Sequence, residues 1–261
     1  MTKSHSRLAA PGLLLALSAC AATPERGAFL SSYDGLEART DMVRAGALDR
    51  TDAEALGAIR RVAIAPAVFA PADGAKLWMT PQEQARVLRE VDAQLCFELS
   101  ERFEIASAAP ADAQVRAAVT DVRPTGRAGS AAAAAAAFFI PGPIGLRAPG
   151  TLGGLSAEAE MLDPAGEQVA AIVWSRSATA VGTDNPSLSR IGDALQFAEP
   201  FADAAAAAMT PEDREPRDLG AGDDPCAEYG PRFRPEGFLS RFATGLYIPD
   251  TSAARPEATE E

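Results

Sequence analysis

Residues 153–171 read GGLSAEAEMLDPAGEQVAA, and the reading of the fold starts from them. Leu155, Ala157, Ala159 and Met161 alternate with Ser156, Glu158 and Glu160, the two-residue period of a strand with one buried face. Asp163-Pro164-Ala165-Gly166 is a turn: proline presets its φ, aspartate bonds its own backbone, and glycine tolerates positive φ. Residues 167–181 return as a second strand, with Val169, Ala171 and Val173 opposed by Ile172 and Trp174. A hairpin with one apolar face needs a second layer to cover it.

Outward from the hairpin, residues 114–122 (QVRAAVTDV) alternate in the same way and predict a neighbouring half-buried strand. Residues 61–69 (RVAIAPAVF) predict another, with Pro66 at an edge or bulge because it donates no ladder hydrogen bond. A short strand is expected at 103–107. Thr80-Pro81-Gln82-Glu83 is a helix start, with a hydroxyl cap, proline in the first turn and an acid beside the positive helix end. Val87, Leu88, Val91, Leu95, Leu99 and Phe103 then recur at three- and four-residue steps, which predicts an amphipathic helix of about 20 residues. A second helix is expected over 191–209 around Leu195, Phe197 and Phe201, with Pro200 kinking it or delaying its start. The fold class is α+β: a mostly antiparallel sheet with two helices packed on one face, flanked by an N-terminal tether and an extended C-terminal tail.

The N-terminus reads as a targeting segment. Lys3 and Arg7 precede an apolar run over 9–19 centred on Leu13, Leu14, Leu15 and Leu17, too short for a membrane span, which takes about 20 residues. It ends in Leu17-Ser18-Ala19-Cys20, a match to the lipobox at which lipoprotein precursors are lipidated and cut; the alternative is an ordinary secretory signal with a chance cysteine. The expected division is a signal peptide over 1–19, a lipidated tether over 20–58 whose residues 29–36 dock on the domain, an α+β domain over 59–209 and a tail over 210–261. A short helix is expected within 41–59. Several acyl chains on Cys20 would anchor the chain stably, since each buried methylene contributes about 0.8 kcal/mol and one chain alone binds marginally. Ala21, where aspartate would retain a lipoprotein in the inner membrane, points to the periplasmic face of the outer membrane.

The chain carries a formal net charge of -12. Removal of residues 1–19, with Lys3, Arg7 and no acid, leaves 22 of the 24 basic residues against 36 acidic ones. That surface repels phosphate backbones and makes nucleic acid an unsuitable partner. The single histidine, His5, lies in the removed segment. The mature chain therefore has no Ser-His-Asp or Cys-His machinery and no histidine metal ligand. No catalytic, cofactor-binding or metal-binding residue is assigned. After lipidation two cysteines remain, Cys96 and Cys226, in an oxidising compartment where they are expected to pair; two free buried thiols are the alternative.

Glu158 and Glu160 are the one pair that a carboxylate-dependent hydrolase could use, across about 5 Å or 6.5–9.5 Å of cleft. Neighbouring acids on a strand face are more often simply solvated. Gly150, Gly153 and Gly154 precede a strand rather than a helix and read as turn residues, and Asp121 reads the same way. Residues 129–146 hold seven alanines, then Phe138-Phe139-Ile140 and Pro141-Gly142-Pro143. They read as an Ala-rich helix or excursion on the domain, or as a flap touching a membrane or partner, with Arg123 and Arg127 beside it able to face anionic groups. In the tail, Phe233, Phe238, Leu239, Phe242, Leu246, Tyr247 and Ile248 either strap it to the domain or form a docking peptide.

FLSSYDGL at 29–36, RRVAIAPAVF at 60–69, RAAVTDVRPT at 116–125 and the hairpin at 153–171 together resemble a gram-negative lipoprotein family called domain of unknown function 3313. The resemblance covers residues 27–209, and its most specific part is Gly153, Gly154, Glu158, Glu160, Asp163, Gly166 and Glu167. Where the family usually has a tryptophan in the last helix, Phe197 and Phe201 stand here. The resemblance implies an envelope lipoprotein and carries over no catalytic residue. The expected function is therefore a lipid-anchored, non-enzymatic domain that binds an envelope protein or cell-wall component; the alternatives are a homo-oligomeric secretion or assembly subunit touching the outer membrane through 129–146, and the hydrolase.

Overall fold

The computed structural model describes residues 23–71, 78–106, 110–139, 145–147, 151–217, 219 and 224–255. In chain order the elements are β1 (Glu37–Ala38), β2 (Gly46–Thr51), α1 (Ala53–Ala58), β3 (Arg61–Ile64), β4 (Val68–Phe69), α2 (Pro81–Ser100), β5 (Glu104–Ile105), β6 (Ala113–Arg123), α3 (Arg127–Phe139), β7 (Gly145–Leu146), β8 (Gly154–Leu162), β9 (Gln168–Ser177), β10 (Val181–Gly182), α4 (Gly192–Met209), α5 (Pro235–Thr244) and α6 (Pro249–Ser252). The main sheet has eight strands in the order β1-β2-β9-β8-β6-β3-β5, with β4 also on β6.

The expected α+β architecture is present. From β1 to β6 along the sheet every pairing is antiparallel, whereas β3 pairs parallel with both β5 and β6, and β4 parallel with β6. Parallel neighbours need a crossover connection, and between β3 and β5 that crossover is α2. Pro66 falls between β3 and β4, where the strand breaks.

The β8–β9 hairpin forms for the reasons its sequence gives. The Asp163 carboxylate accepts the N–H groups of Ala165 (2.9 Å) and Glu167 (2.8 Å), and Gly166 takes φ +85°. Thr80 and Glu83 form a reciprocal capping box at the start of α2, satisfying two N–H groups that the helix leaves open. Pro200 stands inside α4, which nonetheless runs unbroken from Gly192 to Met209. Buried Phe197, Ala198, Phe201 and Ala202 on both sides of the proline hold it against the core.

The two long helices cover one sheet face. Val87, Val91, Leu95 and Leu99 of α2 and Leu195, Phe197 and Phe201 of α4 join Val115, Ala117, Ala157, Ala159, Ile172 and Trp174 in one core. Trp174 and Phe201 meet with ring centroids 5.8 Å apart. On the opposite face, Leu30, Leu48, Ala171 and Val173 form a smaller core under Phe29, Tyr33 and Leu36. A buried bidentate pair joins Arg147 to Asp193 (2.7 Å for each bond) and ties the excursion between β6 and β8 to the start of α4.

Two expected segments differ from their reading. The tether over 20–58 contains β2, which pairs along six residues of β9, so the sheet begins well before residue 59. GALDRT lacks a clean alternation, and its partner supplies what its own pattern does not. The short helix expected over 41–59 is α1. The tail over 210–261, read as extended, contains a 3-10 turn at Ala227–Tyr229 together with α5 and α6. Prolines at the first positions of α5 and α6 start those helices rather than excluding them. No helix among the described residues is long and apolar enough to cross a membrane.

Candidate functional site

Glu158 and Glu160 project from β8 onto the sheet face away from the helices. Solvated acids were the ordinary expectation there, yet both side chains are fully buried. The N-terminal segment covers them. Glu158 accepts the N–H groups of Gly27 (2.5 Å) and Phe29 (3.1 Å) and the Tyr33 hydroxyl (2.6 Å). Glu160 accepts the N–H and hydroxyl of Ser31 (2.9 and 2.7 Å), the Gln168 amide (2.8 Å) and the Arg116 guanidinium. The alternate residues Gly27, Phe29 and Ser31 thus satisfy their N–H groups on two carboxylates, and an ionised carboxylate is a strong acceptor for such groups. Gly27 has to be glycine, because an added Cβ would sit 2.2 Å from the Thr120 methyl.

The electrostatics fit a clamp. Burial pushes the Glu160 carboxyl up, but hydrogen bonds from Gln168, Arg116 and Ser31 outweigh it and hold the group below its ordinary value. Burial, and then the bond to Glu158, push the Tyr33 phenol up to about 12, so it stays a donor. Arg116 lies over the Phe29 ring at 5.3 Å and Arg26 over Tyr33 at 5.5 Å. Because the strap occupies both carboxylates, they face no open cleft in this structure.

The tail is held by different groups. Cys96 and Cys226 are joined, with Cα atoms 5.8 Å apart. The last turn of α2 leaves carbonyls without intrahelical donors, and the helix has no basic residue there. Tail arginines supply them: Arg217 donates to Ser100 and Phe103, and Arg232 to Phe97. Arg214 donates to the carbonyls of Leu56 in α1 and Ile59 just after it. Further along, the Ala254 N–H donates to buried Glu90, and the Tyr247 N–H to Pro186.

Of the apolar tail residues expected as anchors, only Tyr247 is buried. Phe233, Phe238, Leu239 and Phe242 are between 53% and 85% exposed. The cause is the packing of α5: Gly237 is its one buried residue, and an added Cβ there would meet Ser252 and Thr251 within 2.8 Å. With glycine turned inward against α6, Phe238 and Phe242, four residues apart, face out. A shallow groove separates them from the long helices, with Glu90, Gln94, Leu195 and Glu199 on one wall and Phe233, Phe238 and Arg241 on the other.

A larger groove of about 1100 Å³ opens beside α2, lined by Ile64, Pro66, Leu88, Ile105, Asp92 and Tyr229 among others. Asp92 accepts the Ala67 N–H at 2.7 Å, and burial pushes its carboxyl up to about 6. Arg89 bridges the groove to the tail through the Glu228 carbonyl and lies 4.9 Å over the Tyr229 ring. Its walls come from four separate segments, so no local pattern of residues foretells this groove.

Cys20 and Ala21 lie outside the described residues, as do residues 140–144 within the 129–146 segment. The described part of that segment is mainly α3, and Gly129 sits so close to Thr151 that a Cβ there would lie 2.2 Å from its methyl. Arg123 reaches the Ser177 hydroxyl at the sheet end. Among the described residues no group of three or more His, Cys, Asp or Glu side chains could hold a metal ion.

Residues 25–205 match the family model described as "Protein of unknown function (DUF3313)". No curated protein matches the chain. Among solved structures the chain is similar to a PelC dodecamer from Paraburkholderia phytofirmans, at 12% identity, covering 64% of this chain and 97% of that one with a TM-score of 0.37. It is similar also to a second PelC dodecamer from that organism, at 11% identity, 64% and 98% coverage and a TM-score of 0.36.

Proposed function

We propose that this chain, which belongs to the DUF3313 family, is a lipid-anchored envelope protein that binds another envelope protein through α5. The observation that carries the reading is the exposed aromatic face of Phe233, Phe238, Leu239 and Phe242. Four large apolar side chains on one short tail segment exceed the scattered single residues that a surface normally carries, and such patches mark contacts. In this reading the domain is not an enzyme, Glu158 and Glu160 serve as structural acceptors, Cys20 carries the lipid, and the chain stands on the periplasmic face of the outer membrane.

The test has two parts. In the native host, a Cys20→Ser chain is expected to leave the membrane fraction and lose its acyl label; retention of both sinks the anchoring. A photo-crosslinking residue at position 242 is then expected to capture one discrete envelope protein, identified by mass spectrometry, while the same residue at position 165 captures none. Equal labelling at both positions removes the binding face. Capture of the chain's own copies alone replaces a heterologous partner with self-assembly.

A further inference from the structure

We propose that the end of the sheet where β8 begins rests on a lipid surface, with Val43, Val181, Leu188 and α3 as its apolar contacts and Arg123 and Arg127 facing the headgroup phosphates. The inference rests on the lipid anchoring proposed above and adds the orientation of the domain.

Strand register brings these separate segments together. Arg123 lies opposite Gly154, Gly154 opposite Ser177, and Ser175 opposite Gly46, so β6 and β9 end, and β2 and β8 begin, at one end of the sheet. The segments beyond those strand ends are α3, β10 and the loop before β2. That loop is tied to the segment after β10 by Arg44, which reaches the Thr183 hydroxyl at 2.7 Å and Asp184 at 3.1 Å. The Thr125 N–H, just before α3, donates to Arg190 at 2.7 Å and brings residues 183–190 to the same end.

Exposed large apolar side chains are unevenly placed. Of eight among the described residues, four lie on α5 or just before it and three stand here: Val43 (82%), Val181 (61%) and Leu188 (49%). Val68 is the remaining one. α3 adds a helix of 13 residues whose Gly129 faces Thr151 and whose Ala131, Ala132 and Ala135 face outward. It is too short to cross a bilayer, and short apolar elements of this kind lie in the interface instead. Arg123 and Arg127 are exposed at its start, and guanidinium groups pair well with phosphate.

The path of the N-terminal strap selects lipid as the occupant. Ser31 is held at Glu160, and Gly27 at Glu158, so toward the N-terminus the strap climbs to the end where β8 begins. Cys20 precedes Gly27 by seven residues, a reach of about 25 Å at ~3.5 Å per residue. An acyl anchor on so short a lead brings this end of the domain to the bilayer.

The test uses the lipidated full chain with its native disulfide closed. Single Val43→Cys, Val181→Cys and Leu188→Cys variants carry an environment-sensitive fluorophore, with Ala165→Cys in the opposite hairpin turn as control. Each is bound to vesicles of phosphatidylethanolamine and phosphatidylglycerol containing a nitroxide-labelled lipid quencher. Emission at 43, 181 and 188 is expected to shift to the blue and to lose most of its intensity to the quencher, with no change at 165. Floating protein whose three sites are unquenched, or quenched no more than position 165, overturns the orientation while leaving the anchoring intact. Sites shielded from an aqueous quencher yet untouched by the lipid quencher assign this end to a protein contact and overturn it as well. A lipidated chain that does not float with the vesicles removes the anchoring and this inference together.

Discussion

The two ends of the chain are held on opposite faces of the domain by opposite chemistry. The N-terminal strap gives N–H donors to buried carboxylates on the sheet. The C-terminal tail gives arginine donors to helix carbonyls and adds a covalent bond. Carboxylates titrate within the acidic range and guanidinium groups do not, so the strap loosens when its acceptors take up protons, whereas the tail's covalent bond answers to reductant. The difference shows how one small domain fixes both of its long extensions with few additions to its main core, Tyr247 of the tail being one.

The largest expected effect separates the two holds by redox. Cys96 and Cys226 are 130 residues apart, and in the chain-entropy model a loop that long contributes up to about 5 kcal/mol. A Cys96→Ser, Cys226→Ser chain is expected to lose about 2–5 kcal/mol of unfolding free energy, read as a lowered urea midpoint, and to expose the tail to protease. The strap should stay protected. An unshifted midpoint with a protected tail would mean that the arginines hold it alone.

Next in size is the carboxylate clamp. Glu158→Gln with Glu160→Gln replaces charged acceptors and leaves Arg116 without its ion pair, at a cost of about 1.5–3 kcal/mol for each charged hydrogen bond lost, discounted because Arg116 is partly exposed. Hydrogen exchange at Gly27, Phe29 and Ser31 should rise while exchange at Cys226 does not. If both ends loosen together, the two holds are not independent.

Acidity should move the two regions in opposite directions. Glu160 is held below its ordinary value, so its stabilisation is complete above about pH 4.3 and is lost as pH falls through its folded value. Burial raises Asp92 to about 6; burial, then nearby Glu101 and Asp203, raise Glu98 to about 7. For those two the folded state binds more protons, so stability around α2 falls as pH rises from about 4 toward 7. Protection factors, with the intrinsic rise of amide exchange with pH divided out, measured at pH 3.5, 5 and 7.5 check the signs: protection of the strap should grow on going up in pH and that of the α2–tail contact should fall. Parallel changes would contradict the assignment of acceptor and donor holds.

The smallest effect on stability is expected at the exposed face. Phe242→Ser should change the unfolding free energy by less than about 0.5 kcal/mol, as surface substitutions do. A marked destabilisation would show instead that α5 packs through Phe242.

Much of the architecture was legible because local rules and tertiary packing agree. The Asp163–Gly166 turn, the Thr80 cap and the stripe from Val87 to Phe103 each specify their own geometry. β2 was not legible, since its short sequence has no strong period and relies on β9. The parallel placement of β3 was not legible either, because no alternation pattern carries strand direction. Cys96 and Cys226 were paired by count and compartment. Glu158 and Glu160 were singled out by spacing, but their task was not, for it depends on backbone donors about 130 residues earlier in the chain.

The sequence by itself determined the β8–β9 hairpin, the strand at β6, the long helices α2 and α4, and the alternation that makes one sheet face apolar. Only the tertiary structure decided that two acids on a strand are buried acceptors rather than solvated charges. Only it turned the aromatic residues of α5 outward and gathered Val43, Val181 and Leu188 at one end. The physical reason is that period and propensity act within a few residues, whereas desolvation and hydrogen-bond satisfaction depend on which distant segment covers a group.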